Sequence, residues 1–243
     1  MRNTVHAEWT KARTLSATIW VLAGVLGATV AVSALAVTSA RHGSDADPVK
    51  TSLTGVYLGQ VVAAILGVLA ISDEYGTGMI HVTLAAMPRR AAVLAAKAAV
   101  LAGQVLTAGT VAILVSALLG RLILPGYALT PALLRAAAGS VLYLTLIALL
   151  GLGIATAVRD AAVAIGIVLG LLFLFPIIAH YITITTVQHY LNEIAPMTAG
   201  LYIQSTTGLR TLPLTPWQGL TVLAAWTAAA LLLGGLTLQV RDA

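Results

Sequence analysis

Stretches of roughly 20 or more apolar residues recur along this chain, each long enough, at 1.5 Å per residue, for a helix to cross a hydrocarbon layer of about 30 Å. The first, "LSATIWVLAGVLGATVAVSALAVT", contains no charged side chain. No soluble core needs so many such runs. A soluble domain is about 25% charged. This chain is 9% charged and 59% hydrophobic over 243 residues. The pattern reads as an all-α polytopic membrane protein, folded as one domain over residues 1–243.

Six spans are expected: Leu15–Thr38, Ser52–Ile71, Ala91–Leu119, Leu133–Val158, Ala161–Ile182 and Trp217–Val240. The first exceeds a signal-peptide core and no cleavage site follows it, so it reads as a retained span. Ahead of it, residues 1–14 read as an interfacial amphipathic helix. Trp9 offers an apolar ring with one N–H, while Glu8, Lys11 and Arg13 face water or headgroups. Between spans 1 and 2, Gly43 and Pro48 argue against a continuous helix. Residues 183–216 carry Pro196, Pro213 and Pro216 and read as an external or re-entrant segment.

An even number of spans puts both termini on one side. With the termini inside, Arg2, Lys11, Arg13, Arg89, Arg90, Lys97, Arg159 and Arg241 lie there. Arg41, Lys50, Arg121, Arg135 and Arg210 lie opposite. Positive charge gathers on the cytoplasmic side of membrane proteins, so the termini are expected in the cytoplasm. The net charge of +5 is then a topology signal, and nucleic acid is not an expected partner.

Little in the spans looks like chemistry. The five histidines (His6, His42, His81, His180 and His189) are scattered without ligand spacing, and there is no cysteine. No metal site and no catalytic group are expected, and no buried carboxylate pair or nucleophile elbow favours an intramembrane enzyme. The chain has no phosphate-binding G-x-x-x-x-G-K-[ST] loop, so energy for any uphill movement must come from another chain. Gln60 and Gln104 are polar exceptions within spans; a buried amide of this kind either lines a path or bonds across helices. Gly55 with Gly59, and Gly166 with Gly170, have the four-residue spacing of close helix contacts.

The stretch "ISDEYGTGMIH" interrupts the apolar pattern after span 2. A short cytoplasmic helix over residues 72–86 is expected, with Ser72 or Asp73 as cap and Asp73 and Glu74 at its positive end. Tyr75, Met79 and Val82 would share one face as an apolar docking patch. Gly76 and Gly78 weaken the helix. Pro88 turns the chain, Arg89 and Arg90 anchor at headgroups, and Lys97 snorkels to them.

Here the chain resembles a known family. "DEYGTGMIHVTLAAMPRRAAVLAAK" is similar to the segment after span 2 in permease subunits of type-2 ATP-binding cassette exporters. "HAEWTKARTLSATIW" resembles the interfacial helix of that family, and "LTPWQGLTVLAAWTAAALLLGGLTLQVRDA" the last span of its actinobacterial members. The resemblance implies a bacterial plasma-membrane permease that pairs with a second permease subunit. Each subunit would receive a cytoplasmic ATPase, holding the ATP and Mg2+, on a coupling helix comprising Asp73, Glu74, Tyr75, Gly76, Thr77, Met79, Ile80 and Val82. Gly78 departs from the larger residue often found at its position and implies a short coupling helix. The resemblance implies export, and the sparse charge of the spans points to a lipid-like or amphiphilic cargo. The alternative is a non-transporting anchor, or an immunity or sensing subunit, that recruits the ATPase.

Overall fold

The computed structural model describes residues 10, 16–40, 47–80, 82, 90–125, 127–182 and 185–240. Nine α-helices of five or more residues run among them: α1 (Ser16–Ser39), α2 (Pro48–Ser52), α3 (Val56–Gly76), α4 (Arg90–Ile123), α5 (Pro131–Val158), α6 (Ala161–Tyr181), α7 (Thr185–Ile194), α8 (Pro196–Leu201) and α9 (Pro216–Val240). There is no strand among the described residues. Six of the helices (α1, α3, α4, α5, α6 and α9) are long and apolar enough to cross a membrane. The chain is a multi-pass, all-helical membrane protein.

The spans alternate in direction, as their end contacts show. At one end, α3 and α9 finish beside the start of α4 and the α5–α6 link, where Lys97 meets Glu74 and Arg90 meets the Leu238 carbonyl. At the other end, Ser52 meets Tyr127 and Asp47 meets Thr206. Thr10 is helical and exposed. The remaining residues of the expected interfacial helix, including Glu8, Trp9, Lys11 and Arg13, lie outside the described residues.

At the centre lies α5, packed against α3, α4, α6 and α9. Lipid tails are as apolar as leucine, so helices associate by close packing, which small residues permit. A Cβ at Gly67 would lie 1.9 Å from the Ala148 carbonyl oxygen, and one at Gly151 would lie 2.6 Å from that of Ala64. The backbones of α3 and α5 therefore touch. Gly153 and Gly234 do the same for α5 and α9. Gly55 and Gly59 seat α3 on α1 at Thr29, and the Gly55 N–H donates to Ser33 Oγ at 3.1 Å. By contrast, Gly166 and Gly170 on α6 have no neighbouring atom within 4 Å of the Cβ position.

Local signals account for the helix ends. The Asp160 carboxylate caps α6 by accepting from the Val163 N–H at 2.8 Å. Arg159 closes α5 in a left-handed conformation, φ 66°, making a two-residue link. Thr130 and Pro131 start α5, and Asp47 and Pro48 start α2. Within residues 183–216, expected as an external re-entrant or short helical segment, the described part comprises α7, α8 and two 3-10 turns at Tyr202–Gln204 and Leu209–Thr211. Trp226 of α9 ties α7 down by donating its ring N–H to the Ile194 carbonyl at 2.9 Å.

Candidate functional site

The segment after span 2 departs from its expected form. The acid pair does not begin a new helix: α3 continues through Ser72, Asp73, Glu74 and Tyr75 to Gly76. The two carboxylates therefore occupy the negative end of α3, not the positive end of a coupling helix. Thr77 caps α3, and Gly78 follows in the left-handed conformation, φ 70°. Its N–H donates to the Tyr75 carbonyl at 3.3 Å, as in a Schellman-type stop. The residue that departed from the family pattern is thus the one that ends span 2. Helical backbone resumes at Met79 and Ile80 and is described again at Val82. His81 and residues 83–89, including Arg89, lie outside the described residues.

Burial divides the expected docking residues into two groups. Asp73, Gly76, Thr77, Met79 and Val82 are exposed; Val82 is 67% accessible. Glu74 and Ile80 are buried and Tyr75 is half-buried. The Gly78 break also takes Tyr75 out of register with Met79 and Val82, so the three do not form one helical face. Glu74 is corrected from a surface handle to an internal tie.

That tie is an ion pair. Lys97 Nζ of α4 donates to Glu74 Oε1 at 2.7 Å, with the side chains only 3% and 4% exposed. It also reaches the Ala70 carbonyl at 3.4 Å. Lys97 is therefore corrected too: it turns into the bundle instead of snorkelling. A carboxylate taken out of water needs a close cation, and Lys97 supplies it.

Two more elements converge here, the α5–α6 link and α9. The Arg159 guanidinium lies 5.6 Å from the centre of the Tyr75 ring, within cation–π range. Arg159 also donates to the Thr237 carbonyl at 3.5 Å, and Arg90 donates to that of Leu238 at 2.8 Å. Both cations thus sit at the negative end of α9. Arg90, expected at headgroups, is half-buried against α9. The result is a braced plate joining α3, α4, the α5–α6 link and α9, with Met79 and Val82 exposed beside it.

The interior amides differ. Tyr143 donates its phenol proton to Gln60 Oε1, and both side chains are fully buried. Gln60 thus makes a bond between α3 and α5; its Nε2 has no partner. Gln104 is half-buried on α4.

A second polar group, missed in the sequence, lies at the opposite end. Asp47 accepts from the N–H and hydroxyl groups of Thr206 and Thr207 while capping α2. Burial pushes its carboxyl pKa up. The Thr206 hydroxyl and the N–H groups of Thr206, Lys50 and Thr207 outweigh burial and hold it below the ordinary carboxylate value. The "DP" pair signalled a helix cap, but nothing local signalled a partner 159 residues away.

No protein-family model matches the chain, and no curated protein matches it either.

Proposed function

We propose that the chain is the membrane subunit of an ATP-driven transporter resembling the type-2 ATP-binding cassette exporters, with hydrolysis on a separate cytoplasmic subunit. One observation carries the reading: Met79 and Val82 are exposed just past Gly78, close in sequence to the Glu74–Lys97 pair that fastens α3 to α4. A partner gripping Met79, Val82 and Asp73 would act on a braced plate instead of a loose loop. The six spans and the resemblance of residues 73–97 support the same reading.

In this reading the braced end and both termini face the cytoplasm of a bacterial plasma membrane. A second permease subunit completes the path, and α6 leaves Gly166 and Gly170 open to close packing from outside. The cargo is lipid-like or amphiphilic. In support, Gln60 is bonded to Tyr143, and the spans carry no charge near their centres apart from the end clusters.

The test uses the full chain, tagged and gently solubilised from its native membranes. ATP hydrolysis should co-purify with it. Met79→Glu and Val82→Glu should abolish that activity while yield and thermal stability stay unchanged. Hydrolysis retained in both variants would sink the docking assignment. Stimulation of hydrolysis by a cargo separates a transporter from a non-transporting anchor.

A further inference from the structure

We propose that Asp47 is the catch of a strap, the segment Pro196–Thr207, whose end is closed over the start of α5 and the α2–α3 turn and comes free when the Asp47 contacts are lost. The proposal stands independently of the transport reading.

The strap starts as α8, seated on α9 where a Cβ at Gly219 would lie 2.0 Å from the Ala199 carbonyl oxygen, and its end lies against the start of α5. Its side chain Ile203 is fully buried and fills the notch left by Gly139, where a Cβ would lie 2.0 Å from Ile203 Cγ1. Gln204 Nε2 donates to Ser140 Oγ at 3.1 Å and to the Leu53 carbonyl at 3.5 Å. Arg135 of α5 donates to the Ser205 carbonyl. Yet the seat is incompletely satisfied. Arg135 Nε, Gln204 Oε1 and Thr198 Oγ1 are all buried without a hydrogen-bond partner. Buried polar atoms left in this condition favour separation and hydration of the surfaces that bury them.

Asp47 supplies what opposes this. Its Oδ1 accepts from Val49 N–H at 3.1 Å, Lys50 N–H at 3.2 Å and the Thr206 hydroxyl at 2.6 Å. Its Oδ2 accepts from Thr206 N–H at 2.6 Å, Thr207 N–H at 3.0 Å and the Thr207 hydroxyl at 3.4 Å. Bonds to an ionised carboxylate are about twice as strong as neutral ones. One side chain therefore holds the cap of α2 and the end of the strap together.

The strap also has the boundaries of a movable piece. It begins after Ala195, an extended residue between α7 and α8, and ends before Gly208, which is left-handed at φ 64°. The residues just beyond, Gly208–Thr211, are exposed. Release at Asp47 frees the strap's end without breaking any span.

The absence of cysteine allows a clean reporter. Ser205→Cys is nearly isosteric and places a thiol in the strap, where Ser205 is buried. Ser72→Cys places one at the far end of α3, also buried. The purified full-length chain is reacted with a polar maleimide in detergent. The Ser205→Cys thiol should react slowly with Asp47 present and at least about tenfold faster after Asp47→Ala, the Ser72→Cys thiol being unchanged. Thr206→Val, which removes one of the contacts, should give a smaller rise. An unchanged rate at position 205 after Asp47→Ala overturns the proposal. So does a parallel rise at position 72, which would make Asp47 a residue of the whole fold.

Discussion

Lys97 of α4 reaches back 23 positions to Glu74 of α3, and the two charges lie 2.7 Å apart inside the bundle. Neither residue is placed there by its own helix. An acid in the last turn of α3 opposes the helix dipole, and a lysine this deep in a span is costly. The pair is tolerated because each relieves the other.

Removing one partner should therefore cost more than removing both. Glu74→Ala or Lys97→Ala is expected to lower stability by about 3–5 kcal/mol, while Glu74→Leu with Lys97→Met recovers most of it. Thermal unfolding in detergent of the two single variants and the double variant measures this. Additive losses in the double variant would contradict a buried pair.

Tyr143 and Gln60 obey the same logic without charge. Tyr143→Phe removes the donor to Gln60 Oε1 and should cost about 1–3 kcal/mol. Adding Gln60→Leu should restore stability, since an apolar pair leaves nothing unsatisfied. A double variant weaker than either single one would argue for a further polar partner.

Two glycines should respond oppositely to the same added methyl group. Gly67→Ala forces a Cβ into the Ala148 carbonyl and should destabilise by about 1–3 kcal/mol. Gly166→Ala meets nothing within 4 Å and should stabilise the isolated chain by up to about 1 kcal/mol, as alanine does within helices. If Gly166→Ala raises the unfolding temperature but impairs function, the α6 face packs against a second subunit.

Acid should loosen the Asp47 end first. Because the folded-state pKa of this carboxyl is depressed, its stabilising effect is present above the unfolded value of about 3.9 and is lost as pH falls through the lower folded value. Among the described residues, Tyr127 senses its charge and Lys50 lies on α2, the helix it caps. Unfolding temperature followed from pH 6 down to about pH 2.5 should fall more steeply for the wild type than for Asp47→Asn. Parallel curves would show that the carboxylate is not held as described.

The six spans were legible because each is a continuous apolar run with a local stop. The end of α5 at Val158 and the start of α6 at Ala161 follow from Asp160, a cap that acts within three residues. The sequence puts the end of span 2 at Ile71 because two acids there look like a helix leaving the membrane, whereas α3 runs on to Gly76. Glu74 stays in the bundle only because of Lys97, and no local window contains both. Tyr143 as a partner for Gln60, and Thr206 for Asp47, were hidden for the same reason. The glycine spacing behaved more subtly. Gly55 and Gly59 do pack within the chain, whereas the identically spaced Gly166 and Gly170 do not. Spacing shows what a helix can accommodate, not what arrives beside it.

The length of α3 links the two ends. Its 21 residues, Val56 to Gly76, form an unbroken rod of about 31 Å. At one tip stands the Gly78 joint; behind the other, across the turn Leu53–Gly55, stands α2 with Asp47 at its head. Close backbone contact with α5 at Gly67 and Gly151 braces the rod near its middle. Under the transport reading proposed above, a push on Met79 would meet this rod near its tip, and the other tip stands next to α2.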